Sequence, residues 1–187
     1  LANKPDQGKA FSVTAMDSVS NHFLRSGNFT RFADWRFVHR ARLGLVPLNG
    51  CRRFGAGDKR CRRCNYTNET LPHVLNHCVA QHAAAMTRRH NAILQRLVKA
   101  INPSSITTMY VNQRIPVLDG EAAHLRPDLV VFNEPEKVTI VDVTDPFENR
   151  YGAFEAARQQ KQQHYAGIVS QLSNLGYDVC ICLIFLI

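Results

Sequence analysis

Apolar residues return at spacings of three and four along several stretches of this chain, then gather into short runs in its last third. That texture predicts helices first and a small α/β core after them. Residues 1–9 are polar, and 10–26 and 30–43 read as helices. The second carries Phe32, Trp35, Val38 or His39, and Leu43 on one stripe, which sends its aromatics to a core, and Gly44 and Pro47 end it. A longer helix is expected over 79–101, with Ile93, Leu94, Leu97 and Ile101 on its apolar side and "NPSS" as its stop. After Asn112 come short apolar runs at 115–118, 128–132 and 138–143, a helix over 153–175, and the run "VCICLIFLI" at 179–187, read as a buried strand.

Composition narrows the class. The 187 residues are 45% hydrophobic, enough to build a core. The longest apolar run falls far short of the ~20 residues a membrane span needs, so no membrane partner is expected. A start on Leu1, without the pattern of a signal peptide, suggests a piece of a longer polypeptide. The net charge of +8 is unevenly spread: residues 1–100 hold 17 Lys/Arg against 5 Asp/Glu, and 101–187 hold 6 against 10. A basic half marks a polyanion binder, and an acidic half beside it collects cations. The basic residues include Arg40 and Arg42 on the second helix and, in the loop over 49–64, Arg52, Arg53, Lys59, Arg60, Arg62 and Arg63.

Six cysteines do not read as a disulfide framework, because three fall within 18 residues beside a histidine, and a reducing compartment is expected. "CRRCNYTNETLPHVLNHC" sets out Cys61-x2-Cys64-x8-His73-x4-Cys78. Two cysteines with two residues between them form a knuckle, and a His/Cys pair at the start of a helix completes a tetrahedron, the pattern of a closed structural Zn²⁺ site. His77 could replace either His73 or Cys78. The pair His73 with Cys78 ranks first, since adjacent His77 and Cys78 do not easily both turn inward.

"LRPDLVVF" places Asp128 at the mouth of a buried run. If the run ending at Phe132 pairs antiparallel with the run from Val138 across "NEPEK", then 132 faces 138, 130 faces 140 and 128 faces 142. Asp128 and Asp142 would then share a face, a repulsive pair unless an oxygen-loving ion such as Mg²⁺ bridges them. On the helix after them, Phe154, Ala157, Lys161, His164 or Tyr165, Ile168, Leu172 and Leu175 recur at helical spacing, so Lys161 lies on the buried stripe and calls for a negative partner. Two acids and such a cation are the minimal kit for metal-dependent phosphodiester hydrolysis.

"RPD" at 126–128, Asp142 in "VDVT" and "ARQQKQQHY" at 157–165 together resemble the restriction-enzyme-like endonuclease of non-LTR retrotransposons, including those that insert into ribosomal RNA genes. "RARLGLVPLNGCRR" and "ETLPHVLNHC" resemble that family's Arg-rich linker and zinc knuckle. The resemblance implies an α+β chain: a basic helical linker over 1–60, a CCHC zinc knuckle and following helix over 61–101, and over 102–187 a PD-(D/E)xK domain with a mixed central sheet. The lysine that usually follows the second acid by two residues is Thr144 here, and its role passes to Lys161. Asp142 stands where Glu is more usual, and Glu155 could lend a third carboxylate.

Several expectations follow from the resemblance. The chain would nick target DNA and leave a 3′-hydroxyl from which an upstream reverse transcriptase domain of the same polypeptide copies element RNA, in the nucleus. Asp128 and Asp142, with the Val143 carbonyl, would hold Mg²⁺ or Mn²⁺. Lys161 would act on the attacking water, with Tyr165 and Arg126 in support, and the basic residues would grip phosphates. Two other readings stand beside this one: a non-catalytic nucleic-acid-binding zinc module on a nuclease-like platform, and a DNA-repair or Holliday-junction nuclease.

Overall fold

β-Branched residues dominate two stretches on either side of "NEPEK", and there the chain makes the hairpin at the centre of its sheet. In the computed structural model, which describes residues 3–4, 7–16, 18–21, 24, 30–51, 53, 57–101, 108–133, 136–144 and 151–185, the strands are β1 (Thr108–Val111), β2 (Leu129–Asn133), β3 (Lys137–Thr144) and β4 (Asp178–Phe185). They lie in the order β1-β2-β3-β4, antiparallel except for the parallel pair β3-β4. The helices are α1 (Gln7–Thr14), α2 (Phe32–Arg42), α3 (Val79–Ile101) and α4 (Tyr151–Asn174). The architecture is therefore α+β with a mixed sheet.

The chain divides into two compact units, one formed chiefly by residues 1–87 and the other by 88–146 with 154–186. The second unit has helices on both sheet faces. On one, Val130, Val138 and Ile140 pack against Tyr165, Ile168 and Leu172 of α4. On the other, Leu129, Val131 and Val141 pack against Leu94 of α3, with Val98 beside it. Burial of a side chain such as Ile168 or Leu172 contributes about 1.5–3 kcal/mol. The left-handed backbone of Gly176 (φ 92°) ends α4: the Tyr177 N–H returns to the Leu172 carbonyl and the Gly176 N–H to that of Ser173.

One reading of the last third is corrected, and two open stretches are assigned. The short apolar run at 115–118 is a turn, from which Ile115 and Leu118 reach the α4-side core and where Pro116 offers no ladder N–H. The final run is not buried throughout. As the edge strand β4 it alternates: Val179 and Ile181 pack on the α4-side core, and Asp178, Cys180 and Cys182 point to the other face and are exposed. Strand β1 falls inside a stretch that the hydrophobic pattern left unassigned.

In the first unit, α2 buries none of its residues. Phe32 is 73% exposed, and its ring stacks along the helix on Trp35 (5.8 Å between centroids), which stacks on His39 (5.2 Å). The expected core stripe is thus an aromatic ridge packed on itself. Gly44 (φ 65°) ends α2 as expected, its N–H on the Ala41 carbonyl and that of Leu45 on Arg40. The helix expected over 10–26 is α1 followed by a tight 3-10 turn at Ser18–Asn21, where the Asn21 amide caps the Thr14 carbonyl at 2.6 Å. "NPSS" and Arg52 lie outside the described residues.

Candidate metal centre and acidic site

The Cys61-x2-Cys64 segment folds as a knuckle because Asn65 adopts a left-handed backbone (φ 61°) and returns its N–H to the Cys61 carbonyl, while the Cys61 N–H bonds that of Tyr66. His73 and Cys78 are five residues apart, a spacing that on an α-helix would turn them about 140° from one another. Here His73–His77 is a π-helical turn, closed by the Cys78 N–H on the His73 carbonyl at 2.7 Å, and both side chains turn to the cysteines. The ligand atoms of Cys61, Cys64, His73 and Cys78 all lie within 4.8 Å of one another. Cys61 Sγ is 3.9 Å from Cys78 Sγ, and Cys64 Sγ is 3.1 Å from His73 Nε2. His77 is exposed and outside the group. Tyr66 stacks on the His73 ring at 4.7 Å and holds its plane.

This Cys3His group is compatible with structural zinc. Burial opposes a thiolate at Cys61, yet the Cys64 and Arg63 N–H groups and His73 outweigh it and draw the thiol down to about 7. Burial, and the other two thiols after it, push Cys78 up to about 12. Three thiolates in so small a space need a cation to balance them, which a soft divalent ion supplies.

Glu69 organises the loop around this group, a role the spacing argument missed. Its buried carboxylate accepts the N–H of Asn49 (2.8 Å) and of Arg62 (3.1 Å) and the Arg62 guanidinium (3.0 Å). Burial pushes the carboxyl up, but those three donors hold it below its usual value. Its signal in the sequence was its isolation, as the one acid between Asp58 and Asp119.

The basic candidates separate by what they touch. Arg62 is tied to Glu69 and to the Pro47 carbonyl, Arg40 to the Leu45 carbonyl, and Arg42 to Asn21 Oδ1. Lys59, Arg60, Arg63 and Arg53 are exposed, with Asp58 3.4 Å from Arg60. Arg126 is exposed beside the fully buried Pro127.

In the second unit, β2 and β3 pair in the expected register, with Phe132 opposite Val138 and Val130 opposite Ile140. One step beyond the last pair, Leu129 with Val141, Asp128 comes level with Asp142. Asp142 is 2% exposed on the α4 side of the sheet. Its Oδ2 accepts from Lys161 Nζ at 3.0 Å and from the Tyr165 hydroxyl at 2.5 Å; its Oδ1 is buried with no hydrogen-bond partner among the described residues. Asp128 lies in a bend just before β2, where the strand pleat no longer directs its side chain. Its Oδ2 accepts the Val143 N–H at 2.7 Å and approaches His90 Nε2 of α3 at 3.0 Å. Burial, then the Asp142 hydrogen bond and charge, then the charge of Asp128, push the Tyr165 hydroxyl well above its usual range. Asp128, Asp142, Lys161 and Tyr165 are thus brought to one end of the sheet. Glu155 instead pairs with Arg158 at 3.8 Å, and His164 is exposed.

No protein-family model matches the sequence. The chain is similar to the retrovirus-related Pol polyprotein from type-1 retrotransposable element R2 of Popillia japonica, 31% identical over 150 residues. The likeness covers 79% of this chain and 30% of that polyprotein. It supports a retrotransposon-related function and fits a longer polyprotein. His90, which no spacing rule selected, is the added member of the acidic site.

Proposed function

We propose that the second unit is a metal-dependent DNA endonuclease of PD-(D/E)xK type, the part of a non-LTR retrotransposon polyprotein that nicks target DNA and frees a 3′-hydroxyl for reverse transcription of element RNA. The observation that carries this reading is the division of labour on Asp142: one oxygen is held by Lys161 and Tyr165, and the other is buried without a hydrogen-bond partner among the described residues. A buried carboxylate oxygen without a donor is costly unless a cation meets it. The donor set, hard oxygens from Asp142 and Asp128, fits Mg²⁺ or Mn²⁺. Those two acids would hold the ion, with the Val143 carbonyl beside them. Bound there, such an ion polarises the scissile phosphate and lowers the pKa of water.

The chain's own residues carry the rest. Lys161 pairs with Asp142 Oδ2 at 3.0 Å and sets an ammonium where it orients the attacking water and offsets charge on the phosphate. Water adds to phosphorus and gives up a proton to solvent, the P–O3′ bond breaks, and the 3′-oxygen leaves and takes a proton from solvent. Tyr165 stays a neutral donor that fixes the Asp142 rotamer. Exposed Lys59, Arg60, Arg63 and Arg126 would meet phosphates, and the Cys3His group would hold its zinc as a staple with no open position.

The full chain with Mg²⁺ should nick supercoiled plasmid, and Asp128→Ala and Lys161→Ala should not. The exposed cations and the aromatic ridge of α2 favour one second reading, a binding module without catalysis. If no protein nicks at high concentration while all bind DNA, that reading replaces the first.

A further inference from the structure

His90 reaches the acidic site from α3, on the opposite sheet face from α4 and 38 residues before Asp128. The two acids are built alike. Asp142 Oδ2 takes two donors, Lys161 and Tyr165, and Oδ1 has no partner among the described residues. Asp128 Oδ2 faces two nitrogens, Val143 N–H at 2.7 Å and His90 Nε2 at 3.0 Å, and Oδ1 makes no hydrogen bond among the described residues. The Asp128 backbone is fixed as well, since its carbonyl accepts the Asn112 N–H at 3.0 Å. One N–H on Oδ2 would leave the carboxyl group free to rotate about its last torsion. A second, from another element, sets its plane.

We infer that His90 is a positioning residue of the acidic site: with Val143 it clamps Asp128 Oδ2 so that Oδ1 is presented, with Asp142 Oδ1, to a divalent cation. The ring must carry its proton on Nε2 to do so, because a carboxylate oxygen only accepts. The inference rests on the nuclease reading for the identity of the cation as cofactor, but its geometry involves only Asp128, Val143 and His90. Groups that hold a metal-binding carboxylate typically govern metal affinity by 10- to 100-fold.

The test is direct Mn²⁺ binding to the full chain, followed by electron paramagnetic resonance, alongside the Mg²⁺ dependence of nicking. His90 is about one-third exposed, with its side chain at 32%, so its replacement leaves the core intact. His90→Ala and His90→Asn, whose amide falls short of Asp128, should each weaken Mn²⁺ binding about tenfold or more and raise the Mg²⁺ needed for half-maximal nicking by a similar factor. His90→Gln, which keeps an N–H at comparable reach, should recover most of the affinity. The inference is overturned if His90→Ala and His90→Asn bind Mn²⁺ like the parent while Asp128→Ala does not. If Asp128→Ala itself leaves Mn²⁺ binding and nicking unchanged, the nuclease reading fails instead.

Discussion

The carboxylate of Asp128 accepts the backbone N–H of Val143 at 2.7 Å, so the residue that precedes β2 is tied to the residue that follows Asp142 in β3. This single bond fixes the spacing of the two acids through the sheet. It makes the hairpin register a functional quantity, because a slip of one residue would carry Asp142 to the α3 face.

Tyr165→Phe removes the hydroxyl from Asp142 Oδ2 and should cost about 1–2 kcal/mol, read by urea denaturation. The loss depends on pH. The folded-state pKa of Tyr165 is raised, so its contribution is complete below the ordinary value of 10.0 and falls as the unfolded chain ionises above it. The stability gap between parent and Tyr165→Phe should therefore narrow above about pH 10. A constant gap would place the Tyr165 hydroxyl outside this hydrogen bond.

The Cys3His group should hold one zinc per chain. X-ray absorption should find three sulfurs at about 2.3 Å and one nitrogen at about 2.0 Å. Cys61→Ser or Cys78→Ser should release the metal and loosen the knuckle, and His77→Ala should leave zinc content unchanged. Loss of zinc on His77→Ala would move the fourth ligand.

Glu69→Gln keeps the size of the side chain but turns an amide toward donors, at a cost of about 2 kcal/mol. Because the carboxyl is held below its ordinary value of 4.5, the parent's advantage is present above that pH and is lost as pH falls further. Thermal melts of both zinc-loaded proteins at falling pH should converge. Gly50→Ala should act in the same direction, since a Cβ there would come within 2.8 Å of the Glu69 carbonyl oxygen.

DNA affinity should fall steeply with salt. Neutral replacement of Lys59 or Arg63, both exposed, should lower the slope of log affinity against log salt by about 1 each. Arg62→Gln should instead destabilise the knuckle loop, because its guanidinium serves Glu69.

Legibility followed the range of the contact. The hairpin register could be read because a short turn and alternating Val and Ile residues leave little choice of pairing, and that placed Asp128 level with Asp142. Lys161 was legible because α4 has a regular stripe and an unpaired buried cation is costly. His90 was not, since its meeting with Asp128 depends on how α3 crosses the sheet, 38 residues away. The α2 stripe misled because periodicity reports a shared face and not what covers it: Phe32, Trp35 and His39 stack in line, outside any core. The π-turn that brings His73 to Cys78 has no signature in spacing alone, although the ligand set was readable from residue types.

The most direct measurement is the single-turnover nicking rate of Asp142→Asn at saturating Mg²⁺, with DNA affinity measured on the same protein. Asn keeps the size of Asp142 and an oxygen for Lys161 and Tyr165, but it removes the charge that a cation would meet. A rate at least about 100-fold below the parent, with unchanged DNA affinity, is the predicted result. Nicking at the parental rate would contradict the account.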